Sequence, residues 1–469
     1  MQCANPTDLE AAILDLTFTQ VARFRPFQVV ADGFVAATGP LRRTGLTLAE
    51  VGPPAPFAAV EVELGAADTV HAGLATPSGD FVGLVRHGDH LALEVRRAGR
   101  ASTVKRGAVN RPRRLAFALC ENRITALADH GDGWWPVLTA RPRKGPDLRR
   151  PETLADYRYA WGTGPAKSGA TGRTRPVEPA DPATLGTVRA GPFGMTGLRD
   201  PHLVTHADGR PYQRDGRLFL TWTCAGLGGF RQAHWGVFAL DPLDPTHLEQ
   251  TAQLYTARDG LLLGDHAGQL VRDDNRWIAL TSAWGDFRPG SVHVRHLETT
   301  DDLLTGVHVL RTEPLPLPTR HATWDPGLAL IDGRWHVSFV ESASQRPFRF
   351  HPALAAGPEA GPRSSWRQDL RRRGAAGHLT QCEGPILTRR GDDWWLLASD
   401  GDGRGYPVFD LDLHERGRLH APYPTNIPHP QTVPLGDGSH LLVTFDGTGY
   451  AEKTMGYGGH GDVLVMRST

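Results

Sequence analysis

From Phe27 to about Leu138 the chain alternates between apolar and polar or small positions, as in Phe27-Gln28-Val29-Val30, Ala59-Val60-Glu61-Val62-Glu63-Leu64, Phe81-Val82-Gly83-Leu84-Val85, Leu91-Ala92-Leu93-Glu94-Val95 and Leu115-Ala116-Phe117-Ala118-Leu119. A period of two puts successive side chains on opposite faces, so these segments predict half-buried strands. Turn signals such as Pro77-Ser78-Gly79-Asp80 and His87-Gly88-Asp89-His90 separate them, and one helical stretch is expected at Asp8 to Leu14. The spacing predicts a β-sandwich over residues 1–145.

Between residues 146 and 190 the periodicity fades into Pro, Gly, Arg and Thr, with Gly162-Thr163-Gly164-Pro165 and Pro176-Val177-Glu178-Pro179. This stretch reads as a linker in which Tyr157 to Trp161 can dock on a domain. From 191 to 469 a phrase recurs: a polar residue, a short apolar strand, an Asp/Gly turn and a second apolar strand. The five copies open at Asp200, His266, Asp325, Glu383 and His429, spaced 66, 59, 58 and 46 residues apart. A repeated hairpin of fixed phrase and variable loop length predicts a five-bladed β-propeller, whose radial closure leaves only short edges. The expected fold class is therefore all-β, a propeller preceded by a sandwich.

Composition agrees: 54 Gly and 37 Pro suit many short strands and tight turns, and a chain of 469 residues suits more than one domain. The 51 basic and 51 acidic side chains leave no net field for a polyanion, so no nucleic-acid partner is expected. Cys3, Cys120, Cys224 and Cys382 show no metal or redox spacing and read as free thiols. With no apolar run of membrane length and no basic leader followed by one, the expectation is a cytoplasmic protein with no membrane partner.

In a propeller the innermost strands start near a shared axis, so the five opening residues should face one cavity. Taken singly, an Asp-Pro at a strand start is a loop dipeptide. Three carboxylates converging on one cavity raise one another's pKa, which acid/base chemistry uses. Glycoside hydrolysis needs one carboxylic acid to protonate the leaving oxygen and one carboxylate to activate water or attack, and a third group can tune the acid. Asp200, Asp325 and Glu383 are the catalytic candidates. Trp284, Trp324 and Trp222 can stack on sugar faces, His202 and His266 can bond sugar hydroxyls, and Arg231 and His234 fall on a loop that can reach the rim. Trp277, Trp335 and Trp395, in second strands, read as packing between blades. The run Ser399 to Gly405 lacks the 12-residue pattern of a calcium loop, and Gly456 to Gly461 reads as a turn into a ring-closing strand. There is no Gly-x-Ser-x-Gly motif, which disfavours acyl transfer.

These motifs, Leu198-Arg199-Asp200-Pro201, Trp324-Asp325-Pro326-Gly327 and Cys382-Glu383-Gly384-Pro385, resemble those of the five-bladed propeller glycosidases, particularly glycoside hydrolase family 43, with families 32, 68 and 62 as relatives. The resemblance covers the chain from about Leu198 onward. It implies Asp200 as general base, Asp325 as pKa modulator and Glu383 as general acid of an inverting enzyme that removes an arabinofuranosyl or xylosyl residue from an oligosaccharide partner. It also implies that His429 lies near the axis, against the substrate or a structural calcium ion, with no cofactor required. One feature departs from it, since here the sandwich precedes the propeller; the alternative among the relatives is a retaining fructofuranosidase or transglycosylase, as in families 32 and 68, with Asp200 as nucleophile. A catalytically silent carbohydrate-binding propeller is the alternative from another class.

Overall fold

A computed structural model describes residues 13–41, 45–65, 67–163, 186–359, 366–449 and 461–468. Most of the region expected to be helical at Asp8 to Leu14 and most of the glycine run at Gly456 to Gly461 lie outside the described residues. Nearly all regular structure is β.

Five antiparallel sheets follow one another in the second part of the chain. Blade one is built on Leu198–Leu203, Arg217–Cys224, His234–Asp241 and Asp244–Arg258; blade two on His266–Asp273, Arg276–Ser282 and Val294–Thr299. Blade three has Ala322–Ile331, Arg334–Gln345, Phe348–Glu359 and Arg371–Ala375, and blade four Cys382–Arg390, Asp393–Asp400, Pro407–Phe409 and Glu415–Arg418. Blade five holds Gln431–Pro434, His440–Asp446 and Asp462–Ser468.

The packing closes a ring. Leu270, Trp277 and Ala279 meet Val237 and Leu254 between blades one and two, and Ile278 and Leu280 meet Leu328, Trp335 and Val337 between two and three. Ala329 and Ile331 meet Leu387 and Leu396 between three and four, Ile386 and Leu397 meet Leu442 and Leu464 between four and five, and Val443 and Val463 meet Leu198, Leu218 and Trp222 between five and one. The second strands are buried on both faces along most of their length, as Leu218 to Trp222 is. This is a five-bladed propeller. Trp222 thus lies in the seam between blades five and one, away from any sugar, because an indole of that size fills the wedge between two twisted sheets.

The fourth strand of blade five comes from the far end of the chain. Phe18–Phe24 pairs antiparallel with Asp462–Ser468, Phe18 opposite Ser468 and Phe24 opposite Val463. The N-terminal segment, expected in the sandwich, therefore belongs to the propeller, because the edge of the last blade offers unpaired backbone groups and an apolar seat for Phe18.

The intervening domain has two antiparallel sheets facing one another. In one, Trp134–Ala140, Arg123–Asp129, Arg114–Cys120, Phe57–Glu63, Thr187–Met195 and Gln28–Val30 lie in that order; in the other, Gly45–Leu48, Arg158–Thr163, Thr69–Ala75, Phe81–His87, His90–Arg97 and Arg100–Ala108. Val60, Val62, Leu74, Leu84, Leu93, Phe117 and Ile124 fill the space between them. Two corrections follow. Residues 146–190 are not all linker, since Arg158–Thr163 and the start of Thr187–Met195 are sheet strands; Tyr159 and Trp161 carry too much apolar area to remain in water. Nor is Phe57–Glu63 half-buried. Its second face, with Ala59, Ala116, Ala118 and Cys120, packs on Leu227 and Tyr255 of the propeller, where small alanines allow close approach. Cys120, Cys224 and Cys382 are buried free thiols.

Replacing Phe18, 2% exposed, by Ala should lower propeller stability by about 3–5 kcal/mol in urea unfolding. Leu243→Ala, at a residue 93% exposed, should change it by less than about 0.5 kcal/mol. Equal midpoints for the two variants would contradict closure of the ring by the N-terminal strand.

Candidate active site

The innermost strand of each of the first four blades is broken at one point by a bulge. The register with the second strand shifts between Arg199 and His202, His266 and Gln269, Trp324 and Gly327, and Glu383 and Ile386. One residue in each bulge takes the left-handed conformation: Asp200 at φ +52°, Ala267 at +54°, Asp325 at +48° and Gly384 at +65°. Asp tolerates this region better than most residues, and glycine is free in it. Blade five aligns through its glutamine. Gln431 Oε1 accepts from the Leu203 amide of the next blade at 2.8 Å, as Gln269 Oε1 does from Leu328 at 2.7 Å. His429 is therefore the fifth member of the ring of Asp200, Ala267, Asp325 and Gly384.

This corrects the phase of the repeat. His266 and Glu383, read as equivalents of the two aspartates, stand one position earlier, level with Arg199 and Trp324. Because side chains alternate along a strand, a one-residue offset changes what each group faces. The offset is hidden in the sequence because Glu-Gly-Pro and Asp-Pro both look like a polar residue leading into a strand.

The bulges are locked between blades. Thr223 Oγ1 accepts from the Ala267 amide at 3.0 Å, Ser282 Oγ from the Asp325 amide at 2.9 Å, and Asp325 Oδ2 from the Gly384 amide at 3.3 Å. His429 Nε2 sits 3.4 Å from Asp325 Oδ2 and 3.8 Å from Asp200 Oδ1. A β-carbon on Gly384 would fall 2.5 Å from the His429 ring, so the fourth ring position has no space for a side chain.

A cavity of about 380 Å³ opens above this ring, and Asp200, Asp325 and Glu383 all line it. One wall is aromatic. Ring centroids of Phe230 and Trp284 are 4.9 Å apart, Trp284 and Trp324 5.4 Å, and Trp324 and Phe350 5.4 Å, and all four rings line the cavity. Trp324 also donates from Nε1 to Glu383 Oε2 at 3.3 Å.

The electrostatics separate the carboxyls. Burial pushes Asp200 up, but the Arg199 guanidinium, 3.9 Å away, together with His429, His266 and the Thr223 hydroxyl, outweighs it and holds the group below the usual carboxylate range. Glu383 is pushed up to about 7, first by burial and then by the charge of Asp200. Asp325 is raised well above the ordinary value by burial, Glu383 and Asp200. His429 is lowered to about 4 by burial and stays neutral near pH 7.

Of the other residues singled out from the sequence, Trp284, Trp324 and His429 line the cavity, whereas His202 and His266 do not. His266 is fully buried behind the wall, its Nε2 3.0 Å from the Phe230 carbonyl and its ring stacked on Trp284. His202 lies deeper, beside a void of about 10 Å³ below the ring. That void is one-water size, and Asp200, Asp325 and His429 line it as well as His202. Among the described residues no group of three or more His, Cys, Asp or Glu is disposed to hold a metal. His234 is buried against Tyr255 and Phe57 rather than at the rim, and Arg231 donates to the Phe287 carbonyl at 2.9 Å. In the run from Ser399, Asp400 accepts from the Asp402 and Gly403 amides and from Arg418, a closed turn. Sequence reasoning missed Arg199, Phe230, Phe348, Phe350, Gln381, Asn426 and Ile427 on the cavity wall. Only Arg199, beside Asp200, had a local signal.

No family model matches the sequence, and no curated protein matches it. Among solved structures, similarity is found to Zg3597, a family 117 glycoside hydrolase of the marine bacterium Zobellia galactanivorans, at 12% identity over 58% of this chain and 84% of that one, with a TM-score of 0.39. CoXyl43, a family 43 β-xylosidase/α-arabinofuranosidase from a compost microbial metagenome, is 12% identical over 58% of this chain and 91% of its own, at 0.41. The α-L-arabinanase of Penicillium chrysogenum is 10% identical over 92% and 98%, at 0.37.

Gly384→Ala should drive a methyl into the His429 imidazole and strain the backbone, destabilising the protein by about 2–4 kcal/mol. Gly333→Ala, also at positive φ (+70°) but in open space, should cost about 1–2 kcal/mol. Thermal or urea unfolding that ranks the two in the opposite order would contradict the axial contact.

Proposed function

We propose that this protein is an inverting glycoside hydrolase that releases a terminal arabinofuranosyl or xylosyl residue from an oligosaccharide. The observation that carries the reading is the opposed protonation of two carboxyls lining one pocket, Asp200 held ionised and Glu383 holding its proton up to about pH 7. Hydrolysis of a glycosidic bond requires such a pair.

In the proposed mechanism Glu383 gives its proton to the departing glycosidic oxygen as the C–O bond breaks. Asp200 takes a proton from a water that attacks the anomeric carbon from the opposite face. The electrons of the broken bond stay with the leaving alcohol, and water supplies the new hydroxyl. Asp325 acts through geometry: its Oδ2 holds the Gly384 amide, the residue after the acid, and its neutral form adds no charge beside Asp200. Asp200 lifts Glu383 by its charge, and Asp325 and Glu383 repel each other's ionised forms, which supports Asp325 as a modulator as well as an orienting group. Trp284, Trp324 and Phe350 offer flat apolar faces to a sugar ring, and Trp324 steadies the acid with its indole N–H.

Among arabinofuranosides, xylosides, galactosides and fructosyl oligosaccharides, pentosides should be turned over, with the product anomer inverted in proton NMR. Glu383→Gln should lower kcat by about 10²–10⁴-fold on an oligosaccharide and by less on a 4-nitrophenyl glycoside, whose leaving group needs little protonation. Retained anomeric configuration would make Asp200 a nucleophile, and sugar binding without turnover would make the propeller a recognition module.

The pH profile follows with its sign. Glu383 must be protonated, so kcat/KM should fall as pH rises through about 7. Asp200 must be ionised, so activity should also fall in acid, below the ordinary carboxylate range. A kcat/KM that rises across pH 6–8 would contradict the assignment.

A further inference from the structure

We infer that the turn between Arg114–Cys120 and Arg123–Asp129 in the N-terminal domain holds the propeller loop that carries Phe230 of the pocket's aromatic wall, making Asn122 a positioning residue for the sugar site. The inference rests on the reading that sugar binds in this pocket.

The first loop, residues 226–232, folds around one side chain. Gln232 is 6% exposed; its backbone N–H donates to the Gly229 carbonyl at 2.9 Å, and the Oε1 of its side-chain amide accepts from the Gly229 backbone N–H at 2.9 Å. Gly226 and Gly228 make room for it, since β-carbons there would fall 1.5 Å from the Gln232 carbonyl oxygen and 2.5 Å from its Oε1. The other end of that amide is held from outside the propeller: Gln232 Nε2 donates to Asn122 Oδ1 at 3.2 Å. Phe230, which forms the pocket wall, sits inside the loop so fixed.

The second loop, residues 284–287, carries Trp284 and Phe287. Within the propeller, Asp265 Oδ1 accepts from the Gly285 amide at 2.9 Å, and Arg258 donates to Asp265, to the Gly285 carbonyl and to Asp286. Glu121, fully buried in the turn of the other domain, lies 3.5 Å from Arg149, and burial pushes its carboxyl up to about 8. The two loops are joined through Arg231, which donates to the Phe287 carbonyl. Asn122 shares the tip of one tight turn with the fully buried Glu121, and its partner Gln232 lies on a loop that bears a pocket aromatic. Around them the contact is close-packed. Phe57 lies 5.1 Å from His234 and 5.5 Å from Tyr255, and a β-carbon on Gly264 would fall 2.4 Å from its ring. Among the described residues the domain contributes no group to the cavity lining, so its effect on sugar binding is transmitted through Gln232.

The test compares wild type with Asn122→Ala, Asn122→Asp, Gln232→Ala and the Asn122→Ala/Gln232→Ala double variant of the full chain. It measures hydrogen–deuterium exchange of the peptide spanning 226–232 and kinetics on 4-nitrophenyl α-L-arabinofuranoside. Asn122→Ala should speed exchange of that peptide and raise KM by about tenfold, with kcat within about twofold. Asn122→Asp, which keeps the acceptor oxygen, should restore both. The double variant should be no worse than Gln232→Ala alone, because both remove one interaction. Wild-type exchange in Asn122→Ala, fully additive effects in the double variant, or equal damage from Asn122→Asp would each overturn the inference. If the wild type turns over no glycoside, the functional reading fails, and exchange of 226–232 still decides whether the clamp exists.

Discussion

Charge crowding at the mouth of the propeller axis is the constraint on which the rest of the site depends. Asp200, Asp325 and Glu383 approach one another where little water screens them, and three adjacent carboxylates cannot all be ionised in such a place. Among the described residues of the pocket wall the single guanidinium, Arg199, is covalently next to Asp200 and stacked on Phe445 at 4.5 Å, so it favours one carboxylate over the others. Once Asp200 holds the negative charge, Glu383 and Asp325 keep their protons, and acid and base are assigned by position rather than by residue type.

Position in turn comes from the bulge. A regular strand would send successive side chains to alternate faces of the blade, whereas a left-handed residue at Asp200 and Asp325 turns both carboxylates toward the axis. Ala267 and Gly384 keep the rest of the ring small enough for them and for His429. The closed ring of five inter-blade cores holds these points in register, and the strand Phe18–Phe24 supplies the last edge.

Much of this was legible in the chain. The five hairpin phrases, each apolar enough to bury both faces, announced the ring, and the spacing of Asp200, Asp325 and Glu383 put them on blades one, three and four. The phase of the repeat was not legible, because a bulge leaves no mark beyond Asp-Pro or Gly-Pro, and a hairpin pattern looks the same one residue out of step. Phe18–Phe24 was assigned to the nearer domain because pairing across more than four hundred residues has no local signature. Phe230, Phe348 and Phe350 came from loops and third strands whose path only the fold defines. His202 and His266 were placed at the substrate because a histidine beside a carboxylate reads as a ligand; burial instead set one behind the aromatic wall and the other below the ring.

The most direct test of the charge assignment is a carboxyl titration followed by isotope-edited infrared difference spectroscopy on wild type, Glu383→Gln and Asp200→Asn. The account predicts a carboxyl that ionises near pH 7 in the wild type, is missing in Glu383→Gln and moves to lower pH in Asp200→Asn, where the repelling charge is gone. A Glu383 that ionises in the ordinary carboxylate range, or one indifferent to Asp200→Asn, would contradict it.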